Sequence, residues 1–148
     1  MKHRHDLPLS LLAAIDDNPI EGRTRLQKLL FLIQKRAERE GDNSLEQKYD
    51  FVPYDYGPFA KEIYDDINKL AHRGLVEETA KELDDGVVKY NYKITEKGEA
   101  IAAERGLLDD LPQEIEAVIN EFEDKELEEI IDYVYSKYPE YAENSIIR

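Results

Sequence analysis

Five basic residues lie close together in the sequence and are its clearest group of potential ligand-binding side chains. They are Arg23, Arg25, Lys28, Lys35 and Arg36, and no acidic residue occurs between positions 22 and 37. Guanidinium and ammonium groups bind phosphates through charge and through hydrogen bonds. On a helix, most of these residues fall on or beside the face opposite the apolar stripe. The segment predicts a phosphate-binding surface for nucleic acid, and the alternative is an ordinary solvated helix face.

A second group of polar and basic residues follows on a later predicted helix and on the strand after it. The group consists of Lys61, Asn68, Lys69, Arg73, Lys89 and Lys93. Such side chains contact base edges and phosphates in protein–DNA complexes. Glu62, Asp65 and Asp66 lie among the helical members, and phosphate would repel their carboxylates. The acids therefore weaken a DNA-binding interpretation of this helix.

Catalytic and metal-binding motifs are not found in the sequence. The chain contains no cysteine, which excludes a thiol nucleophile, a disulfide framework and every cysteine-containing zinc site. The three histidines, His3, His5 and His72, match no nucleophile or metal motif. Nothing marks a pair of carboxylates as a buried acid–base dyad. We therefore expect no enzyme activity, no metal and no cofactor.

The charge of the chain is strongly uneven along its length. The formal net charge is −14, divided as +2 over residues 1–40, −5 over residues 41–94 and −11 over residues 95–148. The C-terminal acids belong to one run: Glu121, Glu123, Asp124, Glu126, Glu128, Glu129 and Asp132. This run is typical of a solvated helix start, and its alternative role is to bind a basic partner. The sequence contains no predicted signal peptide or membrane span, so we expect a cytoplasmic protein.

Helical patterns dominate the first half of the predicted structure. A short helix begins near Pro8 and ends before Asn18, and a longer one extends from Thr24 to about residue 40, with Thr24 and Gln27 fitting a capping box. Residues 49–56 alternate loosely and predict an extended segment. The pair Gly57 and Pro58 then predicts a sharp turn that opens a helix over residues 59–73, which Gly74 ends.

The second half begins with a predicted β-hairpin. Strands over residues 75–79 and 88–94 flank an Asp-Gly turn, and strict alternation places Tyr90 and Tyr92 on the buried face with Val88 and Ile94. Thr95 predicts the cap of a helix that continues to about residue 106. Two more helices follow. We expect the first to open at Asp110 and Pro112, the second at Asp124, and Pro139 to end the last one.

The predicted order of elements is that of a winged-helix module, mainly α with a small β-hairpin. Several segments also resemble the YwgA-like family of prokaryotic winged-helix proteins. These segments are residues 22–32 (GRTRLQKLLFL), 51–59 with its Tyr-Gly-Pro-Phe, 70–76 with its Gly-Leu-Val, 92–98 (YKITEKG) and 138–141 (YPEY). A more distant resemblance is to SocA-like (Panacea) antitoxin domains, which share the Leu-Gln-Lys-Leu-Leu helix and a later Gly-Pro. Both resemblances assign a fold more firmly than a function.

These observations predict one winged-helix domain over residues 1–148, with a core of about 8–106 and a C-terminal helical extension over 107–148. Gly57, Pro58, Thr95 and Gly98 are its predicted structural motif. The first functional hypothesis is a DNA-binding transcription regulator that uses both basic groups. The alternative is an antitoxin-like or adaptor-like interaction module whose acidic C-terminal helices bind a basic protein. DNA, a basic protein and a second copy of the chain are the candidate partners, and a membrane is not.

Overall fold

A computed structural model describes residues 3–15, 18–42, 45–109 and 112–146. Within these ranges the chain is a mixed α/β protein with six α-helices and two small antiparallel sheets. The helices are α1 (Asp6–Ile15), α2 (Arg23–Arg39), α3 (Lys61–His72), α4 (Glu96–Glu104), α5 (Gln113–Phe122) and α6 (Leu127–Lys137), followed by a 3-10 turn (Pro139–Ala142). The strands are β1 (Ile20–Glu21), β2 (Val52–Tyr54), β3 (Gly57–Phe59), β4 (Val76–Glu82) and β5 (Val88–Ile94).

Helix α2 is the centre of the core. Its buried residues include Leu26 and every position from Leu29 to Ile33, so the helix is enclosed on most of its circumference. The C-terminal helices α5 and α6 pack on α2, as does β3. Buried residues of α5 and α6 belong to the same apolar cluster as those of α1 and α2.

The predicted β-hairpin is confirmed. Strands β4 and β5 pair in antiparallel register from Val76 opposite Ile94 to Glu82 opposite Val88, and β1 pairs with the other edge of β5. Gly86 in the turn has a φ of +83°, which favours glycine. Tyr92 and Ile94 are buried as predicted, whereas Val88 is exposed because the tip of the hairpin extends beyond the core.

The predicted capping box at the start of α2 is wrong. Gly22, with a φ of +98°, is the residue before the helix, and no side chain caps the first turn. Gln27 makes long-range hydrogen bonds instead: its amide nitrogen donates to the Ala60 carbonyl and its amide oxygen accepts from the Ala60 N–H, both at 3.0 Å. The glutamine thus connects α2 to the start of α3.

The Gly57-Pro58 pair lies in a strand and does not open a helix, contrary to the prediction. Strand β3 pairs with β2, with Gly57 opposite Tyr54 and Pro58 opposite Pro53, and α3 begins only at Lys61. Gly57 has a φ of +99°, a backbone conformation that favours glycine. A β-carbon at Gly57 would also lie 2.8 Å from Cε1 of Tyr135.

The Thr95 cap and the role of Gly74 are confirmed. Gly74 ends α3 with a φ of +78°. The Thr95 hydroxyl accepts a hydrogen bond from the Gly98 N–H at 2.9 Å and donates one to the Gly74 carbonyl at 2.6 Å. A β-carbon at Gly98 would lie 2.0 Å from the Leu75 carbonyl oxygen, so this position requires glycine. The motif holds α4 against the chain segment between α3 and β4.

The C-terminal helices begin differently from the prediction. Helix α6 starts at Leu127 after Glu126, and Asp124 does not cap it. Asp110 lies outside the described residues, and α5 begins at Gln113 after Pro112. After Pro139 the chain forms the 3-10 turn, whose Tyr141 packs edge-on against Phe31 with ring centres 4.8 Å apart. The last turn therefore contributes to the core around α2.

Candidate interaction surfaces

The basic residues of α2 do not share one exposed face. The prediction placed Lys28 among the solvent-facing side chains, but it is only 2% exposed. Its position on α2 is covered by the β2–β3 hairpin, where the Lys28 Nζ donates a hydrogen bond to the Pro58 carbonyl at 3.2 Å. The unbroken apolar run from Leu29 to Ile33 is the sequence signal that α2 is buried on several sides.

Arg36 and Arg25 are tied to the C-terminal helices. Arg36 lies 2.7 Å from a carboxylate oxygen of Glu121 and donates to the Tyr133 hydroxyl at 3.0 Å. Arg25 donates to the Lys125 carbonyl at 2.9 Å. Two of the predicted phosphate ligands therefore help to hold α5 and α6 in place. Lys35 lies beside Glu38 at 3.7 Å on α2 itself.

Arg23 lies on a group of aromatic rings at the start of α2. Its guanidinium carbon is 3.8 Å from the centre of the Tyr90 ring and 5.0 Å from that of Tyr64. Its Nε donates to the Tyr92 hydroxyl at 3.2 Å. These contacts hold the guanidinium in one place beside the sheet.

The polar and basic residues predicted on α3 are exposed, as is one of the two on the strand. Lys61, Asn68, Lys69, Arg73 and Lys93 face solvent. Lys89 is half-buried, and its Nζ lies 3.5 Å from a carboxylate oxygen of Glu21. Over the described ranges, no hydrogen bond joins any of these side chains to a basic residue of α2.

Asp66 is buried, contrary to the prediction that it shares the exposed face of α3. Its carboxylate accepts a hydrogen bond from Arg4 Nε at 2.8 Å and another from the Tyr49 hydroxyl at 2.8 Å. Burial raises the pKa of Asp66, but the hydrogen bonds from Arg4 and Tyr49 outweigh it and keep the pKa below its usual value. Asp66 therefore anchors the segment before α1 to α3.

A cavity of about 270 Å³ lies between the first two turns of α2, the β2–β3 hairpin and the start of α3. We call it the Lys28 cavity. Its lining includes Arg23, Lys28, Tyr56, Phe59 and Tyr64. Burial lowers the pKa of the Lys28 amine to about 7. The cavity thus combines aromatic rings with a buried amine.

A groove lined by aliphatic and acidic side chains runs along α5. One cavity of about 800 Å³ contains Ala13, Ala14, Leu108 and Ile119 with Glu116 and Glu99. A neighbouring cavity of about 250 Å³ is also lined by Ile119, together with the aliphatic residues Ile15, Ile20 and Leu29, the acids Glu123 and Asp124, and Arg25. We call the two together the α5 groove. Its floor is aliphatic, and several of its rim residues are carboxylates.

Glu114 is a buried acid that the sequence analysis missed. Its side chain is 2% exposed, and neither of its buried carboxylate oxygens forms a hydrogen bond with another residue that the structure describes. Burial, followed by the proximity of the Asp42 and Glu40 carboxylates, raises its pKa to about 7. The sequence feature that indicates its burial is its spacing: Glu114 is four residues before Val118, so both lie on the apolar stripe of α5.

Two classes of site are not found in the part of the chain that the structure describes. No group of three or more histidine and carboxylate residues there is arranged to hold a metal ion. None of the helices there combines the length and the apolar composition needed to cross a lipid bilayer.

Comparison with known proteins identifies the family of this chain. No curated protein matches the sequence. The resemblance to the YwgA-like family is not confirmed. Residues 26–141 match the family described as "Antitoxin SocA-like, Panacea domain". This match covers most of the chain, including all of α3–α6 and both strands of the hairpin. The chain therefore belongs to the SocA-like antitoxin family with a Panacea domain.

Proposed function

We propose that this protein is an antitoxin-type interaction module that binds a basic protein partner in the α5 groove. The observation that carries the proposal is the groove itself, in which an aliphatic floor lies between carboxylates. Such a surface is complementary to an amphipathic helix that has one apolar face and basic residues along its edges. Membership of an antitoxin family supports a partner-binding role.

The charge distribution supports the same partner. The last third of the chain has a net charge of −11, and its exposed acids include Glu116, Glu123 and Asp124 around the groove. The cations Arg25 and Arg36 on the neighbouring helix are already engaged with the Lys125 carbonyl and the Glu121 carboxylate. The electrostatic potential over α5 and α6 therefore attracts cations and repels nucleic acid.

The test uses two synthetic amphipathic helical peptides, one of leucine and lysine and one in which glutamate replaces each lysine. We expect the lysine peptide to bind with an affinity that falls as salt is added, and the glutamate peptide not to bind. A triple variant, Glu116→Gln with Glu123→Gln and Asp124→Asn, should weaken binding at least about tenfold.

The matched control neutralises three exposed acids of the hairpin: Glu77→Gln, Glu82→Gln and Asp84→Asn. It changes the net charge equally but leaves the groove intact. Equal losses in the two triple variants would mean that only total charge matters, and the groove would have no role. If expression of the basic partner protein stops cell growth, co-expression of the wild-type chain should restore growth. Co-expression of the triple variant at Glu116, Glu123 and Asp124 should not.

DNA binding is a second candidate function, because the order of elements is typical of winged-helix proteins. Helices α1, α2 and α3 are followed by the β4–β5 hairpin, and β1 pairs with β5. In a winged-helix protein α3 would be the recognition helix, and its Lys61, Lys69 and Arg73 are exposed.

Binding to random duplex DNA at two salt concentrations tests this function. Changing Lys61, Lys69 and Arg73 together to alanine should flatten the log–log salt dependence by roughly 0.9 for each lost phosphate contact. Undetectable binding at low salt, or the same slope for both proteins, would reject DNA binding through α3.

A further inference from the structure

The Lys28 cavity contains a buried amine that forms no ion pair with any residue in the part of the chain that the structure describes. Lys28 is 2% exposed and donates one hydrogen bond, to the neutral carbonyl of Pro58. A protonated ammonium group has three N–H donors, and a buried charge is costly unless an anion pairs with it. No carboxylate among the described residues forms an ion pair with it within 4.0 Å, and burial is what lowers its pKa. The amine is therefore available to an anionic ligand.

The surroundings of Lys28 favour a carboxylate that carries an apolar group. The rings of Tyr56, Phe59 and Tyr64 line the cavity and offer contacts for an apolar body. Arg23 also lines it, and its Nε is bonded to the Tyr92 hydroxyl while the guanidinium lies near Tyr64. Arg23 therefore places a second cation at the edge of the cavity, with its guanidinium carbon 3.8 Å from the centre of the Tyr90 ring.

The other ionisable groups near the amine do not compensate its charge. Asp55 also lines the cavity but forms no ion pair with Lys28. On the α6 side, Tyr135 packs near Gly57 and donates its hydroxyl hydrogen to Ser145 at 2.8 Å. Lys28 Cε would lie 3.3 Å from a β-carbon at Gly57, so the backbone of β3 packs closely along the lysine stem. The aliphatic part of the Lys28 side chain is therefore fixed by packing, and its amine is preorganised for binding a ligand.

We propose that the Lys28 cavity is a binding site for a small organic carboxylate, with the carboxyl group on the Lys28 ammonium and the apolar group against Phe59 and Tyr64. This site is separate from the α5 groove and does not depend on the proposed function. The same carboxylate could belong to a free metabolite or to the C-terminal residue of a peptide, and the two sources are separated by experiment.

The first experiment titrates the full chain with benzoate and with benzamide, which has the same shape without the charge. We expect benzoate alone to raise the melting temperature and to give a saturable calorimetric signal. The pKa of the Lys28 amine, followed by NMR, should rise when benzoate is added, because an anion stabilises the ammonium form. Affinity should fall about tenfold per pH unit above that pKa. Equal binding of benzamide, or no effect on the Lys28 resonance, would overturn the proposal.

Variants provide the second experiment. Lys28→Met keeps an apolar side chain of similar length and should abolish benzoate binding, while Arg23→Gln should weaken it. Lys81→Met, which removes an exposed lysine of β4, is the matched control and should bind as the wild type does. Undiminished benzoate binding to Lys28→Met would refute the site, and the benzamide and NMR measurements decide the question if that variant does not fold.

A third arm identifies the source of the carboxylate. A tripeptide ending in phenylalanine is compared with its C-terminally amidated form and with benzoate. Tighter binding of the free-acid peptide than of benzoate indicates a peptide terminus, and the reverse order indicates a small metabolite. Binding of the amidated peptide as tightly as of the acid would contradict recognition of a carboxylate.

Discussion

Replacing Gly57 by alanine places a β-carbon where the structure has no room for one. The backbone φ of +99° is unfavourable for any residue with a side chain and costs on the order of 1–3 kcal/mol. The new carbon would lie 2.8 Å from Cε1 of Tyr135 and 3.3 Å from Cε of Lys28, so α6 or the lysine must move. Overpacking of this kind adds about 1–3 kcal/mol.

The two costs together predict that Gly57→Ala lowers the free energy of unfolding by about 2–6 kcal/mol. Urea unfolding followed by circular dichroism measures this loss. The matched control is Gly86→Ala in the hairpin turn, where φ is +83° but no atom lies within 4 Å of the added carbon. The control should lose only the backbone contribution.

The difference between the two variants isolates the contact with Tyr135. If Gly57→Ala and Gly86→Ala lose the same free energy of unfolding, the close contact between β3 and Tyr135 of α6 does not contribute to the loss, and the predicted overpacking cost is wrong. A further check is Tyr135→Leu in the Gly57→Ala background, which should recover part of the loss by making room.

Three other substitutions test buried positions. Because the pKa of Glu114 is raised to about 7, the folded chain binds a proton that the unfolded chain releases, so stability falls as pH rises from about 4.5 to 7. Glu114→Gln should remove this fall and gain about 1–3 kcal/mol at pH 8; parallel pH profiles would contradict it. The pKa of Lys28 is lowered to about 7, so wild-type stability rises with pH between about 7 and 10.5. Lys28→Met should be more stable than wild type at pH 6, on the order of 3 kcal/mol, and a less stable variant there would show that the Pro58 hydrogen bond outweighs desolvation. Gly98→Ala, whose β-carbon would lie 2.0 Å from the Leu75 carbonyl oxygen, should cost about 3 kcal/mol or more in urea unfolding; a loss below about 1 kcal/mol would mean that α4 shifts freely.

Local signals in the sequence predicted much of the fold. Gly74 ends a helix, Thr95 begins one, and alternation identifies β5, because each of these features depends on residues a few positions apart. The predicted role of Pro58 failed for the opposite reason. A proline is equally compatible with the first turn of a helix and with a strand at the edge of a sheet, and the partner strand decides between them.

The candidate sites could not be predicted from the sequence, because they depend on contacts between residues that are far apart along the chain. Lys28 is buried because a hairpin about 30 residues away covers it, with Pro58 as its hydrogen-bond partner. Asp66 is buried because Arg4, which precedes α1 in the sequence, packs over this part of α3 and binds the Asp66 carboxylate. The acidic charge of the C-terminal third was readable from composition. The position of these acids around the aliphatic floor of the α5 groove could not be predicted in this way, because it depends on the packing of α1 against α5.

The engagement of α2 by the C-terminal helices has a consequence for the order of folding. The ribosome synthesises α2 well before α5 and α6, so the apolar side of α2 that they bury stays in water until the later helices emerge. Arg36 cannot bind Glu121 before that moment. The native core therefore closes late in synthesis, and the nascent chain carries an exposed apolar surface that promotes aggregation. Shortening the chain before α5 would make that transient exposure permanent.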